Sequence, residues 1–421
     1  MNTETALLHA LPHDPLTGAV SVPIYQTSTF EQEAPGQHKG FDYSRTNNPT
    51  RGAFERLLAH LEGGTLGIAF SSGLAAVDAV LKLLSTGDHI VAVDDIYGGT
   101  YRALHTIYNR LGINVKHVDT SDPGNVLEAI TPRTKLVWLE TPTNPTLKVS
   151  DIRAIASISK AANALLLVDN TFCSPVAQQP LKLGADIVLH SITKYIAGHS
   201  DVISGGIVVK DPELGARIRY IQNATGAVLG PQDSWLAIRG AQTLPLRYER
   251  ISRSALRVAE FLQRHPDVAG VNYPGLPSHP NHLVARSQGI DTSSEGQYGG
   301  VISFWLKDDR EENAVEQVRN TRLITLAESL GGPKSLVCVP SRMTHASVPR
   351  EARIAAGIHD SLVRVSIGLE HPDDLINDLE QAIAGARAQR EGVRAGENRP
   401  ALAASHAGIF SPSSTTPEIP A

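Results

Sequence analysis

Between about residues 51 and 245 the chain alternates short runs that are apolar at every position with longer stretches whose apolar residues recur at three- and four-residue spacing. TLGIAF precedes LAAVDAVLKLL, HIVAV precedes YRALHTIYNRLG, KLVWLE precedes IRAIASISKAAN, and ALLLVD, ADIVLH and GGIVVK complete the series. Strands that are apolar on both faces and joined by helices predict a mainly parallel sheet covered on both sides.

The flanks differ. Residues 1–50 are rich in Pro, Thr, Ser and Asn with little periodicity, which predicts an extended arm that lies on another surface, such as a neighbouring subunit. Over residues 246–386 a helix at RSALRVAEFLQRH, strands at GVISFWL and LVRVSIGL and a closing helix at PDDLINDLEQAIAGARAQR predict a smaller α+β domain. Residues 387–421 turn to Ser, Pro, Ala and Thr, a composition that buries too little apolar surface to offset ordering entropy, and a disordered tail is expected.

Composition narrows the class. A chain of 421 residues exceeds what one hydrophobic core fills, so two domains are expected. With 38 Lys and Arg against 43 Asp and Glu, interspersed throughout, no nucleic acid or membrane partner is expected. Cys173 and Cys338 lack the paired spacing of a zinc site or disulfide framework, and a reducing, cytoplasmic setting fits them. The first residues show no basic region followed by an apolar one, and no apolar run approaches the roughly 18 residues of a membrane span. His190, His199 and His345 lack paired spacing with carboxylates, so no metal site is expected.

The polar residues that follow the apolar runs carry the chemistry, because open α/β sheets place ligands outside the carboxyl ends of their strands. After TLGIAF comes SSGLAA, a glycine turn opening a helix whose free N–H groups suit a phosphate, although alone it is an ordinary strand-to-helix turn. Asp169 ends ALLLVD, a strand too apolar to be exposed, where a carboxylate needs a cation. Lys194 follows ADIVLH in SITKY, with the hydroxyls of Ser191 and Thr193 beside it. A cation for Asp169, a phosphate for the glycine turn and hydroxyls, and an aldehyde for Lys194 are united in pyridoxal 5'-phosphate (PLP). No G-x-G-x-x-G or G-x-x-x-x-G-K-[ST] follows a strand, which disfavours dinucleotide and ATP chemistry.

The ordered motifs YSRTNNPTR, SSGLAA, DDIYGGTYR, ETPTNP, VDNTF, SITKYIAGHSDV, LAESLGG, MTHASVP and RVSIGLE resemble the trans-sulfuration enzymes of cysteine and methionine metabolism, from about residue 18 to 385. The resemblance implies an α/β fold of the PLP-dependent transferase type I (aspartate aminotransferase-like), with a mostly parallel seven-stranded sheet in a large domain and a smaller α+β C-terminal domain. It implies a homotetramer, a dimer of dimers whose active sites are shared between subunits. Lys194 is then the Schiff-base lysine, Asp169 the partner of the pyridine nitrogen, and Tyr97 the stacking ring and an acid or base. Gly73 and Leu74 offer backbone N–H groups to the phosphate, Ser191 and Thr193 their hydroxyls, and Tyr43 and Arg45 reach it from the neighbouring subunit. Leu74 stands where many relatives have Met, and only its N–H is needed.

Arg364 matches the family's clamp for the substrate α-carboxylate, with Asn144 and Ser329 beside it. The implied activity is γ-elimination of L-cystathionine to cysteine, 2-oxobutyrate and ammonia. Glu328 is the candidate partner of the distal ammonium, and Arg102 and Asp42 are candidates for the same distal pocket. Cystathionine γ-synthase, which replaces an acylated homoserine side chain with cysteine, shares nearly every motif and is the alternative. Methionine γ-lyase is disfavoured because such relatives carry a cysteine after the stacking tyrosine, where this chain has Gly98 and Gly99. A PLP-binding protein without turnover is the reading from another class.

Overall fold

The computed structural model describes residues 3–290, 297–307 and 310–396. Its main sheet has seven strands: β1 (Leu66–Phe70), β2 (His89–Val93), β3 (Asn114–Val118), β4 (Thr134–Glu140), β5 (Leu165–Asp169), β6 (Ile187–Ser191) and β7 (Gly205–Val209). Across the sheet they run β1-β7-β6-β5-β4-β2-β3. Only β7 is antiparallel to its neighbours. Ile68, Phe70, Trp138 and Leu189 bury one face of the sheet, and Val91, Val137, Leu166 and Val168 belong to a cluster on the other. Strands with apolar residues on both faces belong in such a two-sided sandwich.

A second sheet, ordered β10-β11-β12-β9-β8, is built from β8 (Val268–Asn272), β9 (Val301–Leu306), β10 (Thr325–Leu326), β11 (Leu336–Cys338) and β12 (Val363–Ser366). The helix Leu244–Arg264 packs Ala255, Val258, Ala259 and Leu262 against it.

Local chemistry sets the helix ends near the crevice. Asn48 accepts the N–H groups of Thr50 at 3.0 Å and Arg51 at 3.3 Å, opening the helix Pro49–Glu62, and Ser72 accepts the N–H of Ala75 at 3.1 Å, opening Gly73–Leu81. Two stretches differ from expectation. Thr3–His9 is helical, because Leu7 buries itself against the core, while the arm beyond it has only isolated bridges. The closing helix runs from Pro372 to Gly396, past residue 387 where the tail was expected to start, and 397–421 lie outside the described residues.

Candidate active site

Side chains from five strand ends of the main sheet meet the small sheet in one crevice. Ser72 follows β1, Tyr97 follows β2, Glu140 ends β4, Asp169 ends β5 and Lys194 follows β6; Arg364 lies on β12 and Ser329 just after β10.

Asp169 Oδ1 accepts the N–H of Thr171 at 3.0 Å and its hydroxyl at 2.5 Å. Burial pushes the carboxyl up, and the Thr171 bonds and His190 pull the other way. His190 in turn lies 2.6 Å from Glu62, at Nε2 to Oε1, with both side chains buried.

Lys194 Nζ donates to Ser329 Oγ at 3.0 Å. Burial and then the Arg364 cation lower its pKa from 10.5 to about 8, against the opposing pull of Glu328. The LAESLGG turn comes this close because Gly331 has φ +75 and a Cβ there would sit 2.8 Å from the N of Tyr195. Ser329 itself holds φ 94, a conformation sparsely populated by residues with side chains and found mostly at functional sites.

Arg364 is 2 % exposed. Its Nη1 donates to Asn144 Oδ1 at 2.7 Å and its Nη2 to the Ser329 carbonyl at 3.1 Å, while Nε has no partner. The ion pairs among the described residues do not include it. A buried guanidinium without a carboxylate is a site prepared for an anion.

Burial and Glu328 push the Tyr97 phenol up, and Arg102 opposes them. The Glu328 charge thus acts on both Tyr97 and Lys194. Arg102 is exposed, with its Nη1 3.5 Å from Ser347 Oγ. A Cβ on Gly98 would meet the Thr344 carbonyl at 2.4 Å and one on Gly99 would meet the Tyr97 ring at 2.5 Å, so a cysteine at either position would force a shift.

Gly73 is packed so closely that a Cβ would lie 3.4 Å from Ser191 Oγ. Thr193 Oγ1 is spent on Ser204, accepting its N–H at 3.0 Å and donating to its carbonyl at 3.2 Å, so its proton must be withdrawn from that carbonyl before it serves a phosphate. The arm residues stay apart from this crevice. Arg45 Nη1 donates to the carbonyl and Oδ1 of Asn223, each at 2.8 Å, and lies 5.6 Å from the Tyr43 ring centroid. Asp42 Oδ1 accepts the N–H of Tyr43 at 2.7 Å. Arg51 anchors the segment by donating to the carbonyls of Ser44 at 2.8 Å and Arg45 at 3.1 Å.

The family model for Cys/Met metabolism PLP-dependent enzymes matches residues 4–384. The chain belongs to this family. It is 52% identical over 384 residues to a cystathionine gamma-lyase of Bacillus subtilis, covering 91% of this chain and 99% of that one. It is equally 52% identical, over 382 residues, to a cystathionine beta-lyase of Lactococcus lactis, covering 90% and 98%. A cystathionine gamma-synthase of Mycobacterium bovis is 50% identical over 372 residues, covering 88% and 93%. A solved structure of cystathionine gamma-lyase from Lactobacillus plantarum complexed with L-serine superposes with a TM-score of 0.88 at 46% identity, over 92% of this chain and 100% of that one.

A PLP-dependent enzyme of this family needs an amine, a carboxylate and a phosphate cradle, and the crevice meets each need. The Lys194 amine has a lowered pKa, Asp169 is a half-buried carboxylate, and the Gly73 turn opens a helix beside Ser191. The residues fit the cofactor.

Two carboxylates in this crevice were not read from the sequence. Glu140 pairs in register with Asp169, and its Oε2 accepts the N–H of Tyr97 at 2.9 Å. Asp95 Oδ2 accepts Thr143 Oγ1 at 2.6 Å, the N–H of Thr146 at 2.9 Å and the Thr146 hydroxyl, and its Oδ1 is buried without a partner. Their signal was present: each follows an apolar strand, KLVWLE and HIVAVDD, as Asp169 follows ALLLV.

Proposed function

We propose that this enzyme is a cystathionine γ-lyase, cleaving L-cystathionine to L-cysteine, 2-oxobutyrate and ammonia. The observation that carries the reading is the buried, carboxylate-free guanidinium of Arg364, linked through Ser329 to the Lys194 amine. It offers an amino acid's α-carboxylate a two-pronged seat next to a base.

Bound PLP supplies an electron sink for the charge left at Cα when its proton departs. Lys194 removes that proton, and its lowered pKa makes the neutral amine accessible near neutral pH. Arg364 and Asn144 hold the α-carboxylate, Asp169 faces the cofactor's ring nitrogen, and Tyr97 stacks on the ring. The Gly73 and Leu74 N–H groups with Ser191 and Thr193 hold its phosphate. Glu328, whose charge acts on Tyr97 and Lys194, pairs with the distal ammonium of the substrate, and Arg102 and Asp42 belong to the same distal region. Tyr43, 46% exposed, and the exposed Arg45 serve the phosphate of a neighbouring subunit in a homotetramer. The reading keeps residues 1–50 as an arm, 51–245 as the cofactor-binding unit and 246–386 as the smaller domain, in a cytoplasmic enzyme whose two cysteines are free and buried.

The gamma-lyase relative at 52% identity supports this choice, the beta-lyase relative at the same identity supports β-elimination equally, and the tight packing at Gly98 and Gly99 weighs only against the cysteine of methionine γ-lyases. γ-Replacement is the second reading, favoured by the 50% identity to a gamma-synthase. The test is incubation of the PLP-loaded protein with L-cystathionine, and separately with O-succinyl- or O-acetylhomoserine plus cysteine. Cysteine with 2-oxobutyrate upholds the γ-lyase. Homocysteine with pyruvate makes it a β-lyase, efficient formation of cystathionine makes it the synthase, and bound cofactor without any product makes it a carrier.

A further inference from the structure

β5 and β6 lie side by side in parallel, with Asp169 opposite Leu189, so the chain leaves the sheet at two adjacent points, one carrying Asp169 and the other Ser191. Thr171 stands two residues after Asp169, in VDNTF. Its hydroxyl makes two bonds at once: Oγ1 donates to Asp169 Oδ1 at 2.5 Å and accepts the main-chain N–H of Ser191 at 2.9 Å. A hydroxyl has one proton to give, and the N–H of Ser191 can only donate, so the Thr171 proton belongs to Asp169. The N–H of Thr171 donates to the same Oδ1 at 3.0 Å, so both of its bonds fall on one oxygen and leave Oδ2 for a ring nitrogen. Beyond Ser191 the path continues, because the Ser191 carbonyl accepts the N–H of Lys194 at 3.1 Å.

We propose that Thr171 is a positioning residue that locks Asp169 to the turn from Ser191 to Lys194, so that the carboxyl for the cofactor's ring nitrogen keeps a fixed place relative to the groups that hold its phosphate and its aldehyde. The donor and acceptor of one hydroxyl are both needed, which valine, of the same shape, cannot supply and serine can. The two strand ends are also tied through Glu62, whose Oε1 takes Asn170 Nδ2 at 2.8 Å and lies 2.6 Å from His190 Nε2. That second tie holds the strand ends together without the Thr171 hydroxyl, so its loss falls on the cofactor's seat. The inference rests on the roles given above to Asp169, Ser191 and Lys194, and is independent of which sulfur substrate is used.

The test compares the full-length parent with Thr171→Val and Thr171→Ser. Titration of each apoprotein with PLP, followed by visible absorbance, gives the dissociation constant, and visible circular dichroism of the loaded protein reports how the ring is held. The expected result is PLP binding weakened about tenfold and an altered dichroism band in Thr171→Val, with Thr171→Ser close to the parent in both. In a double-mutant cycle the Thr171→Val loss should shrink in an Asp169→Ala background, because one of the two groups that the hydroxyl positions is gone. Parent-like PLP affinity and dichroism in Thr171→Val, with only a lower unfolding temperature, would overturn the proposal, as would equal losses in Thr171→Ser or a full loss in the Asp169→Ala background. If Thr171→Val does not fold, Thr171→Ala decides by the same readouts. An Asp169→Ala protein with the parent's PLP affinity and dichroism sinks the cofactor reading of Asp169 itself, a failure distinct from a silent Thr171→Val beside an impaired Asp169→Ala.

Discussion

Lys194 Nζ donates to Ser329 Oγ across 3.0 Å, and this bond joins the loop after β6 of the main sheet to the turn after β10 of the small one. The Lys194 amine is therefore aimed by a residue from the other sheet, in a backbone conformation with φ 94. Removing the hydroxyl by Ser329→Ala takes away the partner of the Lys194 amine and frees it to rotate. We expect PLP content to be retained and kcat to fall roughly tenfold, the equivalent of one hydrogen bond, measured by steady-state turnover of the substrate identified above.

The pKa of Lys194, lowered to about 8, gives a pH prediction with a definite sign. The amine must lose its proton to react with an aldehyde, so capture of PLP by the apoprotein should accelerate with pH and level off above about 8 rather than near 10.5. Glu328 opposes the shift, so Glu328→Gln should move the midpoint lower still. Stopped-flow absorbance of cofactor uptake checks both, and a midpoint near 10.5 would contradict the burial argument.

Arg364→Lys retains the charge but not the fork that reaches Asn144 and Ser329 together. Loss of one charged hydrogen bond, roughly 2–3 kcal/mol, corresponds to a fall in kcat/KM on the order of a hundredfold. Most of it should appear in KM if the clamp acts mainly on the bound carboxylate.

Asp95 offers a stability test. Burial first, and then Asp94, raise its carboxyl from 3.8 to about 6 against the bonds from Thr143 and Thr146. Because the folded-state value is raised, the ionised group destabilises the fold above about 6, and the penalty disappears as pH falls through that value toward 3.8. Asp95→Asn should therefore unfold at a higher temperature than the parent at pH well above 6, with no advantage below 3.8. The gain has an upper bound of roughly 3 kcal/mol for a shift of about two pKa units, reduced because the amide NH2 occupies the partnerless Oδ1 position. Calorimetry at two pH values measures it.

The sequence by itself determined the strands, the residues at their ends and the family. Those are local properties: apolar runs such as ALLLVD specify a doubly covered strand, Ser72 and Asn48 cap helices within a few residues of themselves, and the motif order is read along the chain. Only the tertiary structure decided which ends meet. β4 lies between β5 and β2 in the sheet, which sets Glu140 beside Asp169 and brings it to Tyr97, and no single strand's pattern encodes that order. Arg364 and Asn144 are 220 positions apart and touch because the small sheet docks against the crevice. The hydrogen bonds of Thr193 to Ser204, and of Arg45 to Asn223, likewise depend on segments that the chain brings together only on folding. Burial then sets the acidities of Lys194, Asp169 and Glu140, because desolvation is the largest cause of each shift and exists only once the sheets are packed.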